Sequence, residues 1–380
     1  MLILARNPYS DINWPQVDRY RANFHQHSTE SDGREYPSIL ADQAATLGLD
    51  IFGISDHDSY RINRGKYPKV LAVDNPERPN GLYINIWPLT EFESDVYYDP
   101  SEAGDYSQLA RVGTAGEFVR NADGIISNGL LTIEMNELTQ DHNALNHIVS
   151  MMNNYDGFPG NDDEESAFAK ISSAGGLGFF AHPPRHWDVE KAYLPQDRFS
   201  PEYYLSILKN YESCLGLEAY TFHDGYPSAR ILWDRILSRG IDATPVWGFS
   251  NTDSHGACNL RNHNVIFMEN LTETELRTRL IQGNFYCCYQ TDANNFVAPI
   301  IQEITVNENQ KTITITSEPG CSVHWVSCGH IIARGHQLSY SDTPGISRYV
   351  RAVVSKGSNV SLTNPFIFSR FVEPSSFVNL

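Results

Sequence analysis

A chain of 380 residues is long enough for two domains and a substantial core. Its 41% hydrophobic and 19% charged content is that of a globular protein rather than a disordered or fibrous one. A formal net charge of −18 repels nucleic-acid phosphates and argues against general DNA or RNA binding, while bound cations would cancel part of it. The six cysteines form no C-x-x-C pair, which argues against a zinc ribbon or a thioredoxin-like site. Free buried thiols are expected, with a Cys321–Cys328 disulfide left open. Met1 to Ser10 holds too short an apolar run for a signal peptide, Arg6 interrupts it, and no stretch is apolar enough to span a membrane. The default expectation is a cytoplasmic protein; a leader trimmed from the chain would make it an exported one.

Residues 1–20 read as a polar lead-in with turn formers at Asn7-Pro8 and Trp14-Pro15. Short apolar strands then alternate with helical patterns. Arg21 to His27 reads as a strand, Ile39 to Leu47 as a helix closed by Gly48, and Leu49 to Ser55 as a strand. Residues 60–130, rich in Pro, Asn, Tyr and Asp, interrupt the alternation. They read as an insertion over the active-site face, with a short helix at Ala115 to Ala122. The alternation returns with a helix at Ala167 to Ser173, a strand at Gly176 to His182 and a helix at Tyr203 to Tyr211. A strand at Leu215 to Tyr220, a helix at Ala229 to Arg239 and a strand at Thr244 to Asn251 follow. Such alternation argues for βα units around a parallel sheet. After Asp292–Pro299 the runs alternate apolar and polar residues at period two between Gly, Pro, Asn and Ser, the pattern of an all-β sandwich.

Ionisable residues cluster at the ends of the apolar runs, where parallel strands converge on one face. His25 and His27 are two apart on a strand, so both rings point the same way and suit one ion. Asp32, in Ser31-Asp32-Gly33, follows at once; its bland reading is a turn cap. Asp56-His57-Asp58 ends the run Ile51 to Ile54, an expensive place for three ionisable groups unless they serve a site. Asp56 or Asp58 suits a carboxylate that orients a ligand ring. Glu134, within Leu131-Thr132-Ile133-Glu134-Met135, is a carboxylate in an apolar strand that calls for a cation and suits a bridge between two ions; Glu137 competes from a more polar context. His147, at the start of a strand, is preferred over His142, which sits in a turn-like context. His182 ends Gly178 to Ala181, and Arg185 behind it suits an anionic substrate. Asp253 and His255 repeat the two-residue spacing. Glu218 and His223 lie near another strand end, where substrate contact, support of a ligand and a purely structural role all remain open. Each cluster alone has a bland explanation, but those explanations must all hold at once, always at strand ends.

His25-x-His27 with Ser-Asp32-Gly, Asp56-His57-Asp58, Glu134, His147, Ala-His182-Pro and Asp253-x-His255 together resemble the metal motifs of the PHP (polymerase and histidinol phosphatase) superfamily, over roughly residues 20–290. The resemblance implies an α/β protein: a distorted (β/α)7 TIM-like barrel at 21–295, followed by a small all-β sandwich at 296–380 like the accessory domain of some bacterial members. It implies two to three divalent ions, zinc, manganese or iron. One would be held by His25, His27, Glu134 and Asp253, a second by Glu134, His147 and His182, and a third by Asp32, His57 and His255. Glu134, Asp253 and His182 would be catalytic, with Arg185 and, less strongly, His223 on the substrate.

The expected activity is hydrolysis of a small phosphomonoester or phosphodiester, because a divalent cluster supplies hydroxide, neutralises phosphate oxygens and stabilises the leaving oxygen. Neither a nucleic-acid partner nor a membrane is expected. One alternative is a hydrolase of a carboxylic ester, amide or carbamate, of the carbaryl-hydrolase type, which the aromatic insertion (Tyr83, Trp87, Tyr97, Tyr98, Tyr106) would suit. A second is a carbohydrate- or protein-binding module on a degenerate barrel, against which the full ligand set argues.

Overall fold

Two sets of short strands face each other across one apolar core. The computed structural model describes residues 2–28, 31–35, 37–57, 119–121, 124–127, 130–133, 135–139, 146–153, 163–183, 198, 200–240 and 246–370. In the first set, the strand Asp18–Asn23 pairs in parallel with Ile51–Phe52, which pairs in parallel with Leu130–Thr132. Between the first two lies the helix Pro37–Leu47. Its Leu40, Ala41 and Ala44 pack against Leu49, Phe52 and Ile54. It stops at Gly48, whose φ of +80° suits a residue without a Cβ, and the Leu49 N–H closes the end on the Ala44 carbonyl at 2.9 Å.

The second set orders Trp247–Asn251, Cys214–Thr221, Leu177–Ala181, His147–Met151 and Met135–Leu138 side by side. The first three are mutually parallel, and the last two run antiparallel to their neighbours. Strands buried on both faces read as unbroken apolar runs, as Leu177 to Ala181 does. The helices Glu164–Ser173, Pro201–Asn210 and Ser228–Arg239 cover the outer face. Asp163 and Ser200 cap the first two by accepting from the backbone N–H groups of Ser166 and Tyr203, and Pro201 opens the second without an N–H to lose. Alternation then sorts the side chains: Ile148, Phe180 and Leu217 pack outward with Phe168, Tyr204 and Trp233 of the helices. Val149, Phe179, Leu215 and Phe249 turn inward and join Ala22, Phe24, Ile51 and Leu131 of the first set.

At their ends the two sets touch through isolated parallel bridges, Gln26 to Ser254 and His57 to Glu137. The mixed α/β content expected from the sequence is present, while the described strands do not close into one (β/α)7 barrel. Five helices lie among the described residues, His147–Met151 runs against the other four strands of its set, and the strands form separate sheets. Val119–Asn121, placed by the sequence in a helix, is a strand paired antiparallel with Gly124–Ser127, where β-branched Val119, Ile125 and Ile126 favour the extended chain. The remainder of the 60–130 insertion lies largely outside the described residues.

Beyond residue 295 the described chain holds strands and no helix. Ile301–Asn307, Thr312–Ser317 and Gln337–Ser339 form one small sheet. Their Ile304, Ile313, Ile315 and Leu338 pack on Trp325, Ala352 and Val354 of a second layer. That second layer is continuous with the larger sheet, because Asn359–Thr363 pairs with Phe285–Tyr289. Leu2–Arg6, part of the expected lead-in, is an edge strand on Phe366–Arg370. All six cysteines are free, four of them buried.

His263 gives this core a pH dependence. It is 2% exposed, with its Nδ1 3.0 Å from the Leu260 carbonyl and its ring against Phe296. Burial pushes the imidazole down to about 4. Between about 4 and the unfolded value of about 6.5 the unfolded chain binds a proton that the folded chain refuses, so stability falls as pH drops through that window. The full difference is about 3 kcal/mol. Urea midpoints at pH 7 and pH 4.5 should show a smaller acid loss in His263→Gln than in the parent; equal losses would contradict the assignment.

Candidate metal centre

Six imidazoles and three carboxylates converge where the two strand sets touch. The chain leaves Asp18–Asn23 through Phe24 still extended, so His25 and His27 share a face, both fully buried, with ring centroids 5.3 Å apart. The segment after Trp247–Asn251 runs alongside. The His27 N–H donates to the Ser254 carbonyl at 2.9 Å and the Asp253 N–H to the His25 carbonyl at 3.0 Å. The Gln26 side chain, pointing the other way, ties the pair together by donating to the Ser254 and Gly256 carbonyls. On the opposite side the Glu137 N–H donates to the Asp56 carbonyl at 3.1 Å, which brings Glu137 beside His57.

Glu137 is the hub. Its Oε1 lies 2.9 Å from His147 Nδ1, 3.0 Å from His182 Nε2 and 3.4 Å from His25 Nε2. Its Oε2 lies 3.0 Å from His57 Nδ1 and 3.3 Å from His27 Nε2. Each oxygen thus serves a different set of rings, the arrangement a bridging carboxylate needs. Asp253 is the second hub, with Oδ1 3.2 Å from His27 Nε2 and 3.3 Å from His25 Nε2, and Oδ2 3.8 Å from His182 Nε2. Asp32 faces His255 Nε2 at 3.2 Å and His57 Nε2 at 3.6 Å. Four groupings of three or four ligand atoms result: His27, Asp32, His57 and His255; His25, His182 and Asp253; His25, His27 and Glu137; His57, Glu137 and His147.

These residues fit divalent cations. His25 Nε2, His27 Nε2 and Glu137 Oε2 are buried and make no hydrogen bond, although they face one another across the cluster. A buried polar atom left this way costs about 1–3 kcal/mol unless something positive lies between the lone pairs. Imidazole nitrogens mixed with carboxylate oxygens are the donors that zinc, manganese and iron accept. The electrostatics agree. Burial alone would push the His25 imidazole down, but Glu218, Glu137 and Asp253 hold it well above its ordinary value. Burial also disfavours the His57 cation, yet Glu137 and Asp32 lift it to about 10. Burial would raise the Glu137 and Asp253 carboxyls, and the surrounding imidazoles hold both well below the carboxylate range. The carboxylates thus call for positive charge at this spot.

Backbone strain marks the same place. His182 and Asp253 have φ of +28° and +46°, a left-handed region that non-glycine residues enter at a cost of about 1–3 kcal/mol. Supporting contacts hold several of the other candidate ligands. Asp56 accepts from Ser28 N–H at 2.7 Å and from Ser31 Oγ–H at 2.5 Å, so it fixes the turn that carries Asp32. Asp56, one of the two carboxylates expected to orient a ligand ring, thus reaches this turn; the other, Asp58, lies outside the described residues. Asn146 gives its N–H to the buried Glu164 carboxylate at 2.8 Å and so anchors the strand that begins at His147. His25 Nδ1 lies 2.9 Å from Glu218.

Of the residues singled out from the sequence, His25, His27, Asp32, His57, His147, His182, Asp253 and His255 are brought together. The glutamate that joins them is Glu137, the competitor in the sequence reading; Glu134, which the sequence favoured as the bridging carboxylate, lies outside the described residues, as do Asp58, His142 and Arg185. His223 is exposed in the turn after Cys214–Thr221, beside Phe222, and belongs to none of the four groupings.

No family model and no curated protein matches the chain. Solved structures do. A two-domain protein from Bacteroides vulgatus, described as containing a predicted PHP-like metal-dependent phosphoesterase, matches at 15% identity over 96% of this chain and 90% of its own, with a TM-score of 0.46. The chain is similar to PHP-like metal-dependent phosphoesterases. A protein from Bifidobacterium adolescentis, provisionally described as a metal-dependent phosphoesterase, matches at 15% identity over 69% of this chain and 96% of its own, with a TM-score of 0.35. A lesion-specific endonuclease from Pyrococcus furiosus matches at 15% identity over 69% of this chain and 55% of its own, also at 0.35.

Proposed function

We propose that this protein is a metal-dependent hydrolase of a small phosphomonoester or phosphodiester, working at a di- or trinuclear divalent centre. The observation that carries the reading is the convergence of five imidazoles on the two oxygens of one fully buried carboxylate, Glu137. In this reading the two strand sets are halves of a distorted (β/α)7 barrel over 21–295, joined by the bridges at Gln26 and His57, with 296–380 as an accessory β domain.

Glu137 would bridge two ions. His25, His27 and Asp253 would hold one of them, and His147 and His182 the other. Asp32, His57 and His255 would hold a third. Divalent ions bound there would lower the pKa of a bound water, neutralise phosphate oxygens and stabilise the leaving oxygen. The chain's own contribution is shape and exclusion of water. His25, His27 and His182 side chains are fully buried and form the closed side. His57, His147 and His255 are 14%, 21% and 31% exposed and Asp32 40%, so substrate would enter over these groups. Arg185, two residues past Pro183, would meet the phosphate.

The test is elemental analysis of protein purified without chelators, with parallel assays on p-nitrophenyl phosphate, bis-p-nitrophenyl phosphate, p-nitrophenyl acetate and a single-stranded oligonucleotide. Two to three ions per chain with turnover of a small phosphoester is the expected result. Turnover of the acetate alone would replace the reading with a carbonyl hydrolase, and turnover of the oligonucleotide alone with a nuclease. A chain that holds no metal, even after zinc or manganese is added, would end it.

A further inference from the structure

Glu218 is the one carboxylate in the strand Cys214–Thr221, fully buried, and it belongs to none of the four candidate metal groupings. A buried carboxylate is costly unless its oxygens are fully used. Here they are used by three neighbours. Glu218 Oε1 lies 2.9 Å from His25 Nδ1 and accepts from Asn251 Nδ2–H at 2.9 Å. Glu218 Oε2 accepts from the His182 N–H at 2.9 Å. His25, His182 and Asn251 sit on or just beyond three different strands, so one side chain ties three strand ends together.

Building on the proposed metal centre, we infer that Glu218 is a positioning residue that sets two ligand histidines at once. It fixes the ring tautomer of His25 and holds the left-handed backbone of His182. The ring contact decides the tautomer: a carboxylate can only accept here, so His25 Nδ1 carries the proton. In the neutral ring, the form that binds a metal, His25 Nε2, which faces Glu137 and Asp253, then has its lone pair toward the centre. The backbone contact decides the second effect. His182 has a φ of +28°, and its N–H in that conformation is held by Glu218 Oε2.

Chemistry makes glutamine a sharp probe. All three neighbours are donors toward Glu218, and an acceptor-only carboxylate satisfies them together. An amide has one acceptor atom. If the Glu218→Gln oxygen faces His25 and Asn251, its NH2 opposes the His182 N–H, donor against donor. If the oxygen faces His182, the NH2 drives His25 to the other tautomer and places a proton on the nitrogen that must bind metal. No rotamer of glutamine satisfies both histidines, although its shape is nearly that of glutamate.

Removing a carboxylate that supports a ligand histidine weakens metal binding by about ten- to a hundredfold. The experiment is calorimetric titration of the full-length, metal-free protein with Mn2+, for the parent and Glu218→Gln, alongside long-range 1H–15N spectra of the histidine rings in the zinc-loaded parent. The expected results are a loss of affinity in that range and a His25 ring with its proton on Nδ1 and the metal on Nε2. The spectrum reads a property that a merely structural contact would not set, and it needs no variant should Glu218→Gln fail to fold. Unchanged affinity in Glu218→Gln, or a His25 ring with its proton on Nε2, would overturn the inference while leaving the metal centre intact. A parent chain that binds neither ion would overturn the proposed function and this inference with it.

Discussion

Glu137→Gln is expected to lower phosphoester turnover on the order of a thousandfold, about 4 kcal/mol of transition-state stabilisation, with metal content falling in parallel. The size follows from position. One carboxylate oxygen serves His25, His147 and His182 and the other serves His27 and His57, so losing the charge disturbs every proposed ion that Glu137 bridges. Alanine at other ligands should cost less, because each removes one donor from one ion. Fold is a weak confounder: Met135, Leu138 and Ile148 fill the surrounding strands and are untouched by an isosteric change. Glu134→Gln, purified and assayed alongside, decides between the two carboxylates. A Glu137→Gln protein within tenfold of the parent, carrying its full metal content, would remove Glu137 from the centre.

The choice between those two carboxylates shows what the sequence hides. Glu134 interrupts an apolar run, and a local reading favours it on solvation grounds. In the structure that run divides between sheets: Leu130–Thr132 belongs to the first set and Met135–Leu138 to the second. Met135, Asn136, Glu137 and Leu138 are all buried, so no alternation of polarity distinguishes Glu137 from its neighbours. The rule that singled out most of the other ligand candidates, a position at the end of an apolar run, does not separate the two glutamates, because Glu134 and Asn136 both break the run before Leu138. Most of the eight other ligand candidates were legible because they sit beside a strand end that their own neighbours announce, as His182 does after Gly178 to Ala181, whereas Asp32 lies in a turn and was legible only through the motif it shares with His25 and His27. Glu218 carried a signal too, a lone carboxylate in an apolar strand. Its purpose depends on His25 and Asn251, which are close only in the fold. The same limit applies to the sheets. The strand Leu2–Arg6 finds its partner at Phe366–Arg370, and no local pattern encodes that pairing.

Asp234→Ala is expected to destabilise the protein by about 3–5 kcal/mol, the cost of leaving a buried charge without its partner. Asp234, on the helix Ser228–Arg239, receives two bonds from Arg351, Nε to Oδ1 at 3.1 Å and Nη2 to Oδ2 at 3.0 Å, and a third from Tyr349 Oη–H at 2.5 Å. Arg351 is 4% exposed and lies over the Trp233 ring, 4.8 Å from its centre. Burial opposes its charge, and Asp234 is the group that restores it. The cluster joins the helix Ser228–Arg239, which covers the second strand set, to the strand Tyr349–Lys356, so the loss falls on the contact between them. For 380 residues that energy corresponds to a drop of about 4–6 °C in the melting midpoint. The double variant Asp234→Leu with Arg351→Met removes both charges and should recover most of the loss, since a buried ion pair contributes little beyond an apolar pair of similar size. If Asp234→Ala melts within 1 °C of the parent, roughly the shift of a loss below 1 kcal/mol, water must reach Arg351 in a way its burial does not allow. If the double variant is no better than the single one, the loss lies in packing around Trp233 and Tyr349 rather than in the orphaned charge.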